Sequence, residues 1–207
     1  MTRLLAATAM LTLAGCNALT GPRQIVASPP TEWRSVATSA DRQRLREWRG
    51  AFVEALTKAR AAGHGAAIAA EGALLQPDAA AGGAPIPSGD YRCRVIKLGA
   101  KRPGMLDFVS YPSFNCQIRQ ERQLQRFAKT CGSQRPVGVI FQGDALRQVF
   151  LGTLVLGDES RAMQYGRDPD RDLAGFVERI GPTRWRMMLP RPAFESTMDV
   201  IELVPAR

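Results

Sequence analysis

Apolar residues are spaced along this chain in three ways, and each spacing predicts a different element. From Leu4 to Leu13 they are nearly continuous, interrupted only by Thr8 and Thr12. A run of about ten residues behind a positive start (Arg3) has the layout of a secretory signal and is too short to span a bilayer as a helix. From Thr38 to Gly63 the spacing changes to three and four. Leu45, Trp48, Phe52 and Leu56 fall on one stripe, with Arg42, Arg46 and Arg49 off it. Thr38 and Asp41 form a capping box at the start, and Gly63 stops the helix. A stripe of this kind serves a helix lying on a membrane or partner; the favoured expectation is that it packs on its own domain. A shorter helix is expected over 66–75.

After the Pro- and Gly-rich stretch 77–88, which reads as a loop, the period falls to two. Short β-branched or alternating runs are expected as strands at 90–98, 106–111, 114–121, 124–130, 137–141, 147–156, 173–180, 184–190 and 197–204. Gly99, Pro103-Gly104, Pro112, Gly143-Asp144, Gly157-Asp158 and Gly181-Pro182 separate them. Eight or nine short strands with no helical pattern between most of them predict an α+β, mainly β fold. An N-terminal helix or helix pair leads into an antiparallel, calycin-like barrel or strongly bent sheet. The division expected is a signal at 1–15, a tether at 16–32, a helical segment at 33–76, a loop at 77–88 and a β domain at 89–207.

Three cysteines follow Cys16, and strand parity chooses among their pairings. Tyr91, Cys93 and Val95 share one face of their strand, as Phe114, Cys116 and Ile118 share one face of theirs. Both thiols therefore point with apolar neighbours towards one core, so the expected disulfide is Cys93–Cys116, with Cys131 free. The chain carries 28 Lys+Arg against 19 Asp+Glu, a net charge of +9, and most of the cations are arginine. They are scattered rather than clustered, which argues against nucleic acid as a partner and is compatible with an acidic ligand or an envelope protein.

Candidate chemistry is sparse. The single histidine, His64, lies between two glycines, so a His-based triad or multi-histidine metal site has nowhere to be built. Asp168, Asp170 and Asp172 alternate as in a calcium loop, but Leu173 stands where that loop needs glycine and Arg179 where it needs a glutamate. A charged turn is the better reading, and acid-based hydrolysis at these aspartates is the minor one. No catalytic residue, metal or cofactor is expected. The loop CGSQRPVG offers Ser133, Gln134 and Arg135, a hydroxyl, an amide and a planar cation suited to a carboxylate or phosphate. Arg92 and Arg147 join these as candidate ligand-binding residues if the strand ends converge.

The run Leu13-Ala14-Gly15-Cys16 resembles the lipobox of bacterial lipoproteins, in which the cysteine becomes the acylated first residue of the mature chain. That resemblance implies membrane attachment through lipid on Cys16. Asn17, rather than an aspartate, implies the outer membrane facing the periplasm, where a disulfide persists. From GDYRCR through CGSQRPVG and VFLG to RDLAGFVERIGPTRWRMMLP the chain resembles an uncharacterised family of Gram-negative exported lipoproteins, a domain of unknown function. The late meander is also similar to small calycin-like barrels that carry ligands or inhibit enzymes. Together these imply a non-enzymatic, lipid-anchored binding module for a small or acidic ligand, glycan or lipid. The alternative is a protein–protein module such as an enzyme inhibitor or envelope assembly accessory.

Overall fold

A computed structural model describes residues 30–206. Cys16, the signal at 1–15 and the tether up to residue 29 lie outside the described residues. Among the described residues four helices come first: α1 (Trp33–Val36), α2 (Ser39–Arg46), α3 (Trp48–Ala61) and α4 (Gly65–Ala70), followed by a 3-10 turn at Gly72–Leu75. Nine strands follow: β1 (Gly89–Ala100), β2 (Phe108–Ser110), β3 (Phe114–Glu121), β4 (Leu124–Lys129), β5 (Gln134–Phe141), β6 (Arg147–Leu156), β7 (Asp172–Gly181), β8 (Arg184–Pro190) and β9 (Ser196–Pro205). Every pairing is antiparallel, and β1 also pairs with β9, so β1 and β3 to β9 close an eight-stranded barrel. β2 extends the edge of β3 along β1, the two separated by a bulge at Tyr111-Pro112-Ser113. Among the described residues no helix is long and apolar enough to cross a membrane.

Two surfaces of the barrel are buried, because the helices cover part of its outside. Ile96, Leu98, Met188, Met198 and Val200 face outward and meet Phe52, Leu56, Ile68, Leu74 and Leu75. Leu45 on α2 packs instead on an adjoining patch with Val149, Leu151 and Ala174. The single helix expected over 38–63 is broken at Glu47 (φ −95°, ψ 5°) for this reason. The two halves of its stripe serve two different patches of a curved wall. Thr38 caps α2 as expected, accepting from the Asp41 N–H at 3.1 Å.

The barrel is closed at one end and packed through its middle. Residues 77–88, expected as a plain loop, cross the closed end and insert Ile86, which is 1% exposed. Its N–H donates to Gln148 Oε1 (3.0 Å), its carbonyl accepts from Gln125 Nε2 (2.7 Å), and the two glutamines bond to each other at 3.0 Å. A buried backbone segment must have its polar groups satisfied, and two inward glutamines do this here. Above the plug lie Tyr91, Trp185 and the disulfide Cys93–Cys116, the pairing that strand parity predicts. Phe127 and Phe150 meet edge to face at 5.8 Å. Gly138 and Gly152, paired across β5 and β6, make room for them: a Cβ on Gly152 would lie 2.5 Å from the Phe150 ring.

Candidate functional site

At the other end the interior is not filled. A cavity of about 400 Å³ opens between the ends of β1, β4, β6 and β8 and the starts of β5, β7 and β9. The pairing around β5 explains the opening. Gln134, Arg135 and Pro136 pair with β6, whereas β4 joins β5 only from Val137 onward. Pro136 has no N–H to offer a neighbour on that side, so it suits a strand segment paired on one edge only. This also explains why β5 begins three residues earlier than a reading that treats proline as a strand stop. The cavity floor and wall are aliphatic, from Val95, Leu154, Leu173, Leu189 and Ile201, with Phe114 at the side.

Polar groups gather at the rim. Lys97 and Asp199 sit directly opposite in the β1–β9 register and bond at 3.2 Å. Lys97 Nζ also meets Glu195 Oε2 at 3.0 Å, while Glu195 Oε1 accepts from Gln134 Nε2 at 3.3 Å. Burial acts to lower the Lys97 ammonium, but the Asp199 and Glu195 carboxylates outweigh it and hold the group above its ordinary pKa. Burial pushes the Asp199 carboxyl up, against the pull of Lys97 and the Ser196 hydroxyl. Glu195 has φ +66°, a left-handed backbone that costs a non-glycine residue about 1 kcal/mol or more.

Lys129 and Cys131 complete this end. Lys129 Nζ stands 4.3 Å from the centroid of the Phe114 ring and close under Gly132 (φ +89°), where a Cβ would come within 3.3 Å of it. Its pKa is lowered, first by burial, against the opposing pull of the neighbouring Cys131 and with Lys97 and Arg135 acting in the same direction as burial. Cys131 is free and exposed.

Of the five candidate ligand-binding residues, the structure brings Ser133 and Gln134 to the cavity and takes the others elsewhere. Even-numbered residues of β5 face the interior, so Gln134 points in and Arg135 points out. Arg135 instead donates to the carbonyls of Gly132, Gly157 and Glu159, each at 2.6 Å, and fastens two mouth loops together. Arg147 lies on the outer face, paired with Glu178 at 2.6 Å and stacked 4.6 Å from the Trp48 ring. Arg92 is exposed on the outer face between Asn115 and Val204.

The three alternating aspartates are also separated. Asp168 meets Arg171 (3.5 Å), and buried Asp172 accepts from the Gly166 N–H (2.9 Å). Only Asp170 reaches the cavity. The residues that sequence reasoning missed, Lys97, Lys129 and Asp199, each sit in phase with inward apolar neighbours. Lys97 follows Cys93 and Val95 at steps of two, and Asp199 precedes Ile201 and Leu203 in the same way. A charge in phase with a buried face was the signal.

A family model described as a domain of unknown function, DUF4893, matches residues 33–203. Those residues include the helices and almost the whole barrel. Comparison with curated proteins and with solved structures finds no match.

Proposed function

This chain belongs to the DUF4893 family, and we propose that it is a non-enzymatic binding module that holds a small ligand in the mouth of its barrel. The observation that carries the reading is the cavity of about 400 Å³, walled by aliphatic side chains and edged by a few convergent polar groups. That combination is what small-molecule sites present, at volumes of roughly 300–1,000 Å³. A module acting only through its outer surface has no need of an unfilled interior. The lipobox-like Leu13-Ala14-Gly15-Cys16 supports the accompanying proposal that the protein is exported and held by lipid on Cys16, at the outer membrane facing the periplasm. A disulfide in the barrel suits that oxidising compartment.

A second reading rests on Glu195 and Asp199, two carboxylates that share the Lys97 ammonium beside the cavity. They would serve acid-based hydrolysis better than Asp168, Asp170 and Asp172. Their mutual engagement with Lys97, Gln134 and Ser196 favours a structural clasp over acids left free to meet a substrate.

Native mass spectrometry of the full chain isolated from the cell envelope tests the binding reading. The expected spectrum shows a discrete added mass that is released on unfolding and absent from Leu154→Trp, in which an indole fills the cavity. A clean mass for the wild-type chain, identical to the variant's apart from the substitution, would turn the assignment towards a protein partner.

A further inference from the structure

Two lysines reach the cavity, and the fold treats them differently. Lys97 is matched by two carboxylates, at 3.0 and 3.2 Å. Lys129 has no carboxylate within ion-pair distance among the described residues; its neighbours are an aromatic face, a glycine backbone, a thiol and, further off, other cations. Gly132 is suited to its place, since a side chain there would crowd the space beside the ammonium. The site thus presents one half-buried positive charge with room next to it, at the edge of an aliphatic hollow.

We propose that the cavity takes an anionic amphiphile, with its carboxylate or phosphate head against Lys129 Nζ and its hydrocarbon part along Val95, Leu154, Leu173, Leu189 and Ile201. The inference rests on the reading of the cavity as a ligand site and names the class of ligand. An anion beside Lys129 restores the partner that burial makes the ammonium need, through a charge-assisted hydrogen bond. A glycan fits this wall poorly. The polar groups Lys97, Gln134, Glu195 and Asp199 already bond to one another, and apart from Lys129, Cys131, Ser133 and Asp170 the side chains around the hollow are mostly hydrocarbon. A small inorganic anion would leave that hydrocarbon wet. The apolar surface also continues outward: Tyr111 and Phe194 are exposed where the cavity opens, and Met105 and Leu106 are exposed on the adjoining β1–β2 loop. These exposed side chains give a ligand that is mostly hydrocarbon an apolar stretch of rim to enter across, beside the charged groups.

The test is calorimetric titration of the full chain, freed of detergent, with dodecanoate, dodecyl phosphate and dodecanol, each kept below its aggregation threshold. The wild-type chain is expected to bind at least one of the two anions at one molecule per chain, and more tightly than dodecanol. Whichever anion binds more tightly identifies the head group. Lys129→Met keeps the apolar stem and removes the charge, so it is expected to weaken anion binding by about tenfold or more while leaving dodecanol binding unchanged. Lys129→Arg is expected to retain anion binding. Unchanged dodecanol binding shows that the variant is folded. Dodecanol binding as tightly as either anion, or anion binding indifferent to Lys129→Met, would overturn the anion assignment while leaving a ligand-binding cavity. A wild-type chain that binds none of the three overturns the amphiphile assignment, and co-purified mass then decides the cavity reading separately.

Discussion

Arg186 ties the end of the helical segment to the barrel wall, and its removal gives a sharp test. It is fully buried on the outer face of β8, under the helical layer. Its guanidinium donates to Glu178 Oε1 twice (2.8 and 2.5 Å) and to the carbonyls of Ala73, Leu74 and Pro77 (3.0, 2.8 and 3.0 Å). Those carbonyls lie in or just beyond the 3-10 turn, where helical geometry leaves acceptors short of backbone partners; Ala73 also accepts from the Gln76 N–H at 3.4 Å. One side chain therefore satisfies the end of the helical segment and the carboxylate of the barrel wall together. Breaking a buried ion pair from one side costs about 3–5 kcal/mol, because the other charge and its acceptors stay behind. Glu178 keeps Arg147 as a second partner, so Arg186→Ala belongs near the lower end, about 3 kcal/mol. With a urea slope of about 2 kcal/mol/M for a chain of this size, the unfolding midpoint should fall by about 1.5 M. Urea titration followed by tryptophan fluorescence, with the disulfide kept oxidised, reads the shift. Arg186→Met with Glu178→Gln should cost less than the two single changes added together, since the fully buried pair is removed from both sides and only the partly exposed Arg147 loses a partner. A midpoint shift below about 0.5 M for Arg186→Ala, or strict additivity in the double variant, would refute the account.

Two further outcomes follow from the interior. The Cys93–Cys116 bridge closes a loop of 23 residues in sequence, and its loss in a Cys93→Ala/Cys116→Ala chain should cost about 3 kcal/mol by urea titration. Native alkylation without reductant should modify Cys131 and leave Cys93 and Cys116 untouched; label on Cys93 would contradict the pairing. Tyr91 donates its hydroxyl to the Pro87 carbonyl at 2.7 Å, and burial pushes its pKa up to about 12. The folded state then holds this proton more tightly than the unfolded chain. The stabilisation is complete below about pH 10 and is lost as the pH rises to about 12, an amount of roughly 2–3 kcal/mol. Tyr91→Phe should be about 1 kcal/mol less stable at neutral pH and show a flatter alkaline decline. An identical decline in the variant would rule the assignment out.

Parity along each strand was legible in the sequence, and what covers each face was not. Alternation placed Cys93 and Cys116 together, as the barrel has them, and the same parity in β8 turns Trp185 inward and Arg184 and Arg186 outward. It could not show that the outside of β8 lies beneath residues 73–77, where an outward arginine becomes fully buried. The same limit explains Arg147, whose outward direction leads to Trp48 and Glu178 rather than to the mouth. Residues 77–88 looked like a loop because Pro and Gly punctuate them. Only the closed barrel reveals that Ile86 fills its end and that Gln125 and Gln148 are polar in order to hold it. Lys97, Lys129 and Asp199 were in phase with apolar neighbours, but the pairing of Lys97 with Asp199 and the Phe114 ring beside Lys129 come from other strands.

The distribution of irregular features along the barrel axis argues for where the work is done. The closed end is the more regular one: the buried backbone of Ile86 is satisfied by Gln125 and Gln148, with left-handed backbone at Arg122 (φ +56°) and a register shift between Arg179 and Gly181 as its own irregularities. More departures gather at the mouth, and those there carry charge into the interior. Glu195 and Arg191, in the β8–β9 loop there, adopt left-handed backbone, and Pro136 interrupts the barrel wall. Lys97 and Asp199 bring charge into the interior. Each feature is destabilising where a leucine and an ordinary turn were available, since paired charges taken out of water seldom recover their full desolvation cost. Sequences depart from the stable choice mostly where function requires it. The packed floor, the disulfide and the helical layer hold the barrel firmly enough to carry those costs at one end. A protein that acted only through its outer surface would have no reason to concentrate them around an unfilled part of its own interior.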